Sequence, residues 1–213
     1  MTKVISRLYS SYDRAAQAVR DLEAAGVPHS EISLVANNSD SWYSNGGANA
    51  GNGGATTKRV DRDRDGVDDR AEGAATGAGV GATIGGAAGL LTGLGLLAIP
   101  GVGPVVAAGW LVATAAGAAA GGVTGGIVGS LTQAGVSDDD AHVYAEGVRR
   151  GGTLVTARVG DADASRLEGV LDKSSLRTSE RRSSDSQSGW KSFDPAAKPY
   201  SADEVRKQRS LYR

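Results

Sequence analysis

The chain contains no cysteine, a single phenylalanine and two histidines, and aromatic residues make up 5% of its 213 positions. Without cysteine there is no disulfide framework, no thiolate nucleophile and no zinc-ribbon ligand set, which excludes a disulfide-stapled secreted miniprotein. The two imidazoles, His29 and His142, stand in no spacing that builds a metal or nucleophilic site and read as surface or capping residues. The glycine-rich strings contain no Gly-Lys-Ser/Thr phosphate loop, and none pairs a strand with a ribose-binding acid. No catalytic residue is assigned, and the chain reads as non-enzymatic. The opening Met1-Thr2-Lys3-Val4-Ile5-Ser6-Arg7 lacks the apolar run and cleavage site of a signal peptide, so a cytoplasmic start is expected.

What is present is glycine, 32 residues, about twice the average share. Residues 74–137 carry no charged side chain at all. Ile99-Pro100-Gly101-Val102-Gly103-Pro104 divides this run into two apolar arms, Thr76 to Ile99 and Val105 to Leu131. As helices, each arm is long enough to cross a hydrocarbon core of about 30 Å. In the first arm Gly77, Gly81, Gly85, Gly89 and Gly93 recur every fourth residue. The second repeats the spacing at Gly109, Ala113, Gly117, Gly121, Gly125 and Gly129. Small residues at that period let two helix backbones approach closely, so the expectation is a glycine-zipper hairpin that enters a membrane as transmembrane helices. A flexible linker would be rich in Ser and poor in the Leu, Ile and Val found here. Basic residues flank both ends of the hairpin and none lies in its turn, which places the flanks in the cytoplasm by the positive-inside rule.

Either side of this run the pattern is that of a small domain. Val4 to Tyr9 reads as a strand, and Asp13 caps a helix with Ala16, Val19, Leu22 and Ala25 on one face. Ile32 to Ala36 reads as a second strand. After the hairpin, Ser137 caps a helix through Ala141, Tyr144, Ala145 and Val148. Gly151-Gly152 stops it, Thr153 to Val159 reads as a strand and Ala164 to Leu171 as a helix. The β-α-β unit leaves a gap that the later strand fills antiparallel, between the first two. The expected fold is therefore α+β, a small ferredoxin-like β-α-β/α-β-α domain with an inserted two-helix glycine-zipper hairpin and a disordered basic C-terminal tail. Its divisions are 1–36, first half of the domain; 37–73, a polar linker; 74–137, the hairpin; 138–173, second half of the domain; and 174–213, the tail.

Two charged stretches add candidate partners. Asp61, Asp63, Asp65, Asp69 and Glu72 occupy positions one, three, five, nine and twelve of a loop with Gly66 at six, the arrangement by which EF-hand-like loops wrap Ca²⁺. Asp68 departs from that pattern where a hydrophobic residue normally stands. An alternating charge run that keeps the linker solvated is the other reading. From Lys173 onward there are ten Lys/Arg against five Asp/Glu, with Trp190, Phe193, Tyr200 and Tyr212 among them. Such a tail suits anionic membrane lipid; nucleic acid ranks second, for want of a basic groove. Ala202 to Tyr212 reads as a basic helix that forms against a partner.

Val4-Ile5-Ser6-Arg7-Leu8-Tyr9, Ala15 to Leu22, Ala25-Gly26-Val27 and Glu31 to Val35 resemble the general stress protein 17M-like domain, also called heat-induced stress protein. Gly135 to Ala141, Tyr144, Val148 and Gly151 to Val159 are similar to its closing helix and strand. The resemblance implies a role in bacterial stress response and no reaction. Two functional expectations follow. One is a stress protein on the cytoplasmic membrane, held by the hairpin and presenting its domain to an unidentified protein partner. The other is a soluble cytoplasmic homo-oligomer that binds a partner and responds to calcium through the acidic loop.

Overall fold

The structure is a computed structural model and describes residues 2–43, 94–112, 114, 126–176 and 189–210. Strand β1 (Thr2–Tyr9) buries Ile5, Leu8 and Tyr9. Ser11 ends it: its backbone is extended and its hydroxyl accepts the Arg14 N–H at 3.4 Å, opening α1 (Tyr12–Ala24). The cap thus falls two residues before Asp13, which lies in the first turn, where its charge suits the positive end of the helix dipole. Gly26 reverses the chain at φ +95°, and a single 3-10 turn (His29–Glu31) leads into β2 (Ile32–Asn37), buried at every residue.

Among the described residues five strands form one wholly antiparallel sheet in the order β1-β5-β2-β4-β3. Strand β5 (Thr153–Gly160) lies between β1 and β2, as the gap in the β-α-β unit requires, with Leu154 opposite Leu8 and Thr156 opposite Ser33. Helices cover both faces, which is why β2 and β5 read as nearly continuous apolar runs. On one face α1 and α4 (Asp161–Asp172) pack Val19, Leu22, Leu167 and Leu171 against Ile5, Ile32, Leu34 and Val155. On the other, α2 (Gly126–Gln133) and α3 (Asp138–Arg149) pack Ile127, Leu131, Tyr144 and Val148 against Leu8, Val35, Leu154 and Val105. Ser137 caps α3 by accepting the Asp140 N–H at 3.2 Å, and Tyr144 reaches back to donate its hydroxyl to the Ser6 carbonyl at 2.8 Å.

The uncharged run departs from its expected form. Among the described residues no helix is long and apolar enough to cross a membrane, which overturns the transmembrane helices expected here. The Pro-Gly segment joins two strands, β3 (Gly95–Ile99) and β4 (Gly103–Ala108), in a hairpin whose β4 pairs with β2. Residues that would have been the last turn of one arm and the first of the other are thus in the sheet. The physical reason is local. Gly101 and Gly103 take φ of +74° and +97°, the left-handed values that a tight reversal needs and a helix does not use. Val105 and Val106 are β-branched, and pairing satisfies the backbone groups along the outer side of β2.

Gly109 is likewise no zipper position, for it ends β4 at φ +93° with the Ile32 carbonyl and Ser33 against it. Gly129 lies on α2. Gly77, Gly81, Gly85, Gly89, Gly93, Gly117, Gly121 and Gly125 lie outside the described residues, as does the acidic run with Asp61, Asp63, Asp65, Asp69 and Glu72.

The tail also differs from expectation. Composition argued for disorder from residue 174, yet Leu176 donates its N–H to the Leu8 carbonyl at 2.7 Å, and residues 189–210 pack on the domain and end in α5 (Ala202–Ser210). A few well-placed contacts outweigh a polar composition here.

Candidate functional site

The docked C-terminal segment and the surface that receives it form the most elaborate polar arrangement among the described residues. Its helix begins with a capping box, a signature legible in Ser201-Ala202-Asp203-Glu204. The Ser201 N–H and hydroxyl both donate to Glu204 Oε2 at 2.7 Å, and the Glu204 N–H returns to the Ser201 hydroxyl at 3.4 Å. These bonds hold the Glu204 carboxyl below its ordinary value. A carboxyl with a lowered folded-state value stabilises the fold above its unfolded value and stops doing so as pH falls through the folded one. Circular dichroism is therefore expected to show α5 fraying in acid below the ordinary glutamate range, and Ser201→Ala should show the same fraying at neutral pH.

Three anchors hold the segment. Phe193 is 5% exposed and enters the cluster of Ile99, Val102, Tyr144 and Val148, with its ring edge and the following Asp194-Pro195 backbone lying on Gly101. A β-carbon at Gly101 would stand 2.7 Å from Pro195 Cα, so only glycine admits the segment there. Val205, fully buried, sits over Gly151, where an added β-carbon would come within 2.7 Å of it. Gly151 thus both stops α3, at φ +101°, and makes room for α5.

The third anchor is Arg209. Its Nε donates to the Gly151 carbonyl at 2.8 Å, its Nη2 to the Asn37 carbonyl at 3.0 Å, and its Nη1 to Asp40 Oδ2 at 2.5 Å. The planar fork of a guanidinium suits such convergence, and lysine, a point charge, could not reproduce it. Asp40 is itself largely buried, 11% exposed.

Arg149 ties the middle of the segment. Its Nη2 donates to the Lys198 carbonyl at 3.2 Å, and its guanidinium lies 4.5 Å from the Tyr200 ring centre, a cation–π contact. The same guanidinium is fixed from below by Glu146, whose Oε2 accepts from it at 3.1 Å while Oε1 accepts from Arg150 at 2.6 Å. Glu146 is 1% exposed, a burial tolerable only because both oxygens are bonded to cations.

His142, read from sequence as a capping residue, belongs to this surface: its Nδ1 accepts the Phe193 N–H at 3.1 Å. His29 stands apart, 3.3 Å from Glu23. Sequence reasoning missed Asn37, Asp40, Glu146 and Arg149 as a group because their association is tertiary. Of the aromatic residues expected at a lipid surface, Phe193 is buried in the core and Tyr200 lies beneath Arg149, while Tyr212 lies outside the described residues.

At the opposite end of β5 a cleft of about 380 Å³ opens between the α1 C-terminus and the start of α4. Its wall residues Asp163 and Arg166 pair with each other at 2.9 Å, and the Arg158 guanidinium lies 3.7 Å from the Trp110 ring. Comparison of the chain with protein-family models, with curated proteins and with solved structures found no match, so what the site does must be argued from its own geometry.

Proposed function

We infer that this chain is a non-enzymatic binding protein whose α+β domain is a receptor for a short peptide segment, occupied at rest by its own residues 189–210. The observation that carries this reading is the fit of that segment. An aromatic anchor, a buried aliphatic on a short helix and a three-point arginine meet a surface with glycines cut to admit them. Recognition of a helix through spaced apolar anchors, with charge pairs at the margin, is a recurring mode of protein–peptide binding. A homologous segment from a second copy would satisfy the same contacts, which makes a homo-oligomer by exchange of segments the natural assembled form. The resemblance to general stress protein 17M-like domains supports a place in the bacterial stress response, with displacement of the clasp by a partner as the responsive step.

The test is a titration of a peptide spanning residues 189–210 into the full chain carrying Val205→Asp, whose own helix can no longer seat. Saturable binding is expected. The unmodified chain should bind at least about tenfold more weakly, because its tethered segment competes at a high effective concentration. A Val205→Asp chain that binds no peptide would remove the receptor reading.

A further inference from the structure

The imidazole of His142 stands where α3 meets the clasp. Its Nδ1 accepts the Phe193 N–H at 3.1 Å, and its Nε2 lies 3.6 Å from Asp138 Oδ2. A ring nitrogen that accepts a hydrogen bond carries no proton, so the docked segment selects the neutral ring with its hydrogen on Nε2. Phe193 is buried, and an amide there with no acceptor would bear the full cost of its lost hydration. Histidine is the side chain that ordinarily changes charge between about pH 5 and 8.

We propose that His142 is a proton-operated release for the C-terminal clasp: the neutral ring holds the Phe193 backbone, and the imidazolium lets it go. Protonation at Nδ1 turns the acceptor into a donor facing another donor. The released state therefore binds the additional proton, and docking weakens as pH falls. The charged groups around the ring agree with this direction. On α3, Asp138 Oδ2 is the carboxylate nearest Nε2, whereas Glu146, one turn further on, is held by Arg149 and Arg150. On the clasp, Lys191 and Asp194 flank Phe193 in the chain and are exposed. The β3–β4 turn beneath, Pro100 to Val102, carries no charge. Glu204, held below the ordinary carboxylate range, titrates outside this window.

This inference rests on the clasp reading, and the experiment separates the two. Hydrogen exchange of the full chain is measured at about pH 7.5 and about pH 5.5, with intrinsic exchange rates corrected for. Protection over residues 189–210 is expected to fall at least about tenfold on acidification. His142→Asn, whose amide oxygen accepts the same N–H without titrating, should hold its protection at both values. Asp138→Asn, which deprives the imidazolium of its carboxylate, should move the release to lower pH. Equal protection of the unmodified chain at both values would overturn the proton release and leave the clasp standing. An absence of protection at both values would overturn the clasp itself.

Discussion

Replacing Arg209 with alanine is expected to free residues 189–210 while leaving the sheet folded. The substitution removes three hydrogen bonds, one of them to a carboxylate, and leaves Asp40 largely buried without its cation. Truncating one partner of such a pair costs about 3–5 kcal/mol, which in the docking equilibrium is a factor of about 10² to 4 × 10³. The change falls on docking and not on global stability, since the sheet and its two apolar cores contain no part of Arg209. Limited tryptic digestion reads it directly, because Lys191, Arg206 and Lys207 lie within the clasp. Their cleavage should accelerate by about a hundredfold where opening is fast relative to cleavage, with sites in α1 and α4 unchanged. Arg209→Lys should behave almost like the alanine variant, a lone ammonium being unable to serve three acceptors in one plane. Unchanged cleavage in Arg209→Ala would mean that the arginine is an ornament on a segment held by other means.

The second large effect belongs to Gly109. At φ +93° it adopts a conformation that other residues avoid, and a β-carbon there would press into the Ile32 carbonyl and stand 2.7 Å from Ser33 Cα. The geometry exists because Ser33 Oγ must accept the Leu111 N–H, at 2.8 Å, and so pull the chain leaving β4 across the start of β2. Gly109→Ala is expected to cost about 3 kcal/mol or more, a fall in Tm of about 10 °C for a chain of this size. Thermal unfolding followed by circular dichroism measures it. A glycine in a helix interface would give a different result. Alanine has the better helix propensity and is tolerated at many small-residue contacts, so an unchanged or raised Tm would restore the helical reading of this position.

These two sites also show where the sequence is legible and where it is not. Strand β1, α1, β2, α3, β5 and α4 carry local signatures: apolar patterning in each, acidic first turns on the three helices, and the glycines Gly26 and Gly151 after α1 and α3. The gap-filling position of β5 follows from connectivity. The β3–β4 hairpin carries no such signature. Its runs of Gly, Ala, Leu and Val are as compatible with helix as with strand, and their length does not arbitrate. Gly101, Gly103 and Gly109 are needed for positive φ, yet in the sequence they look the same as glycines needed for close helix packing. The fourth-residue spacing that suggested a zipper includes Gly109, whose role is set by Ile32 and Ser33 across the sheet.

The clasp was hidden for a related reason. Its anchors are sparse, Phe193 and Val205 among many polar residues, and Arg209 meets Gly151, Asn37 and Asp40 from 58, 172 and 169 positions away. Composition registers the average of a segment, whereas docking depends on three of its side chains. The helix itself was expected, over Ala202 to Tyr212 and against a partner, and it forms over Ala202–Ser210 with the domain as that partner. The role of His142 was hidden like the anchors, for its partner is a backbone amide 51 residues further along.

The absence of cysteine makes the most direct test of the receptor reading straightforward, since spin labels can be placed at chosen sites with no competing thiol. Lys207 on α5 and Ala24 at the end of α1 are both exposed and take no part in the contacts described, so cysteines there should leave the fold unchanged. Pulsed electron–electron resonance on the full chain labelled at these two positions is expected to give a single narrow distance distribution, which Arg209→Ala broadens. A broad distribution in the otherwise unmodified chain, matching that of the Arg209→Ala variant, would contradict a domain that holds its own C-terminal segment.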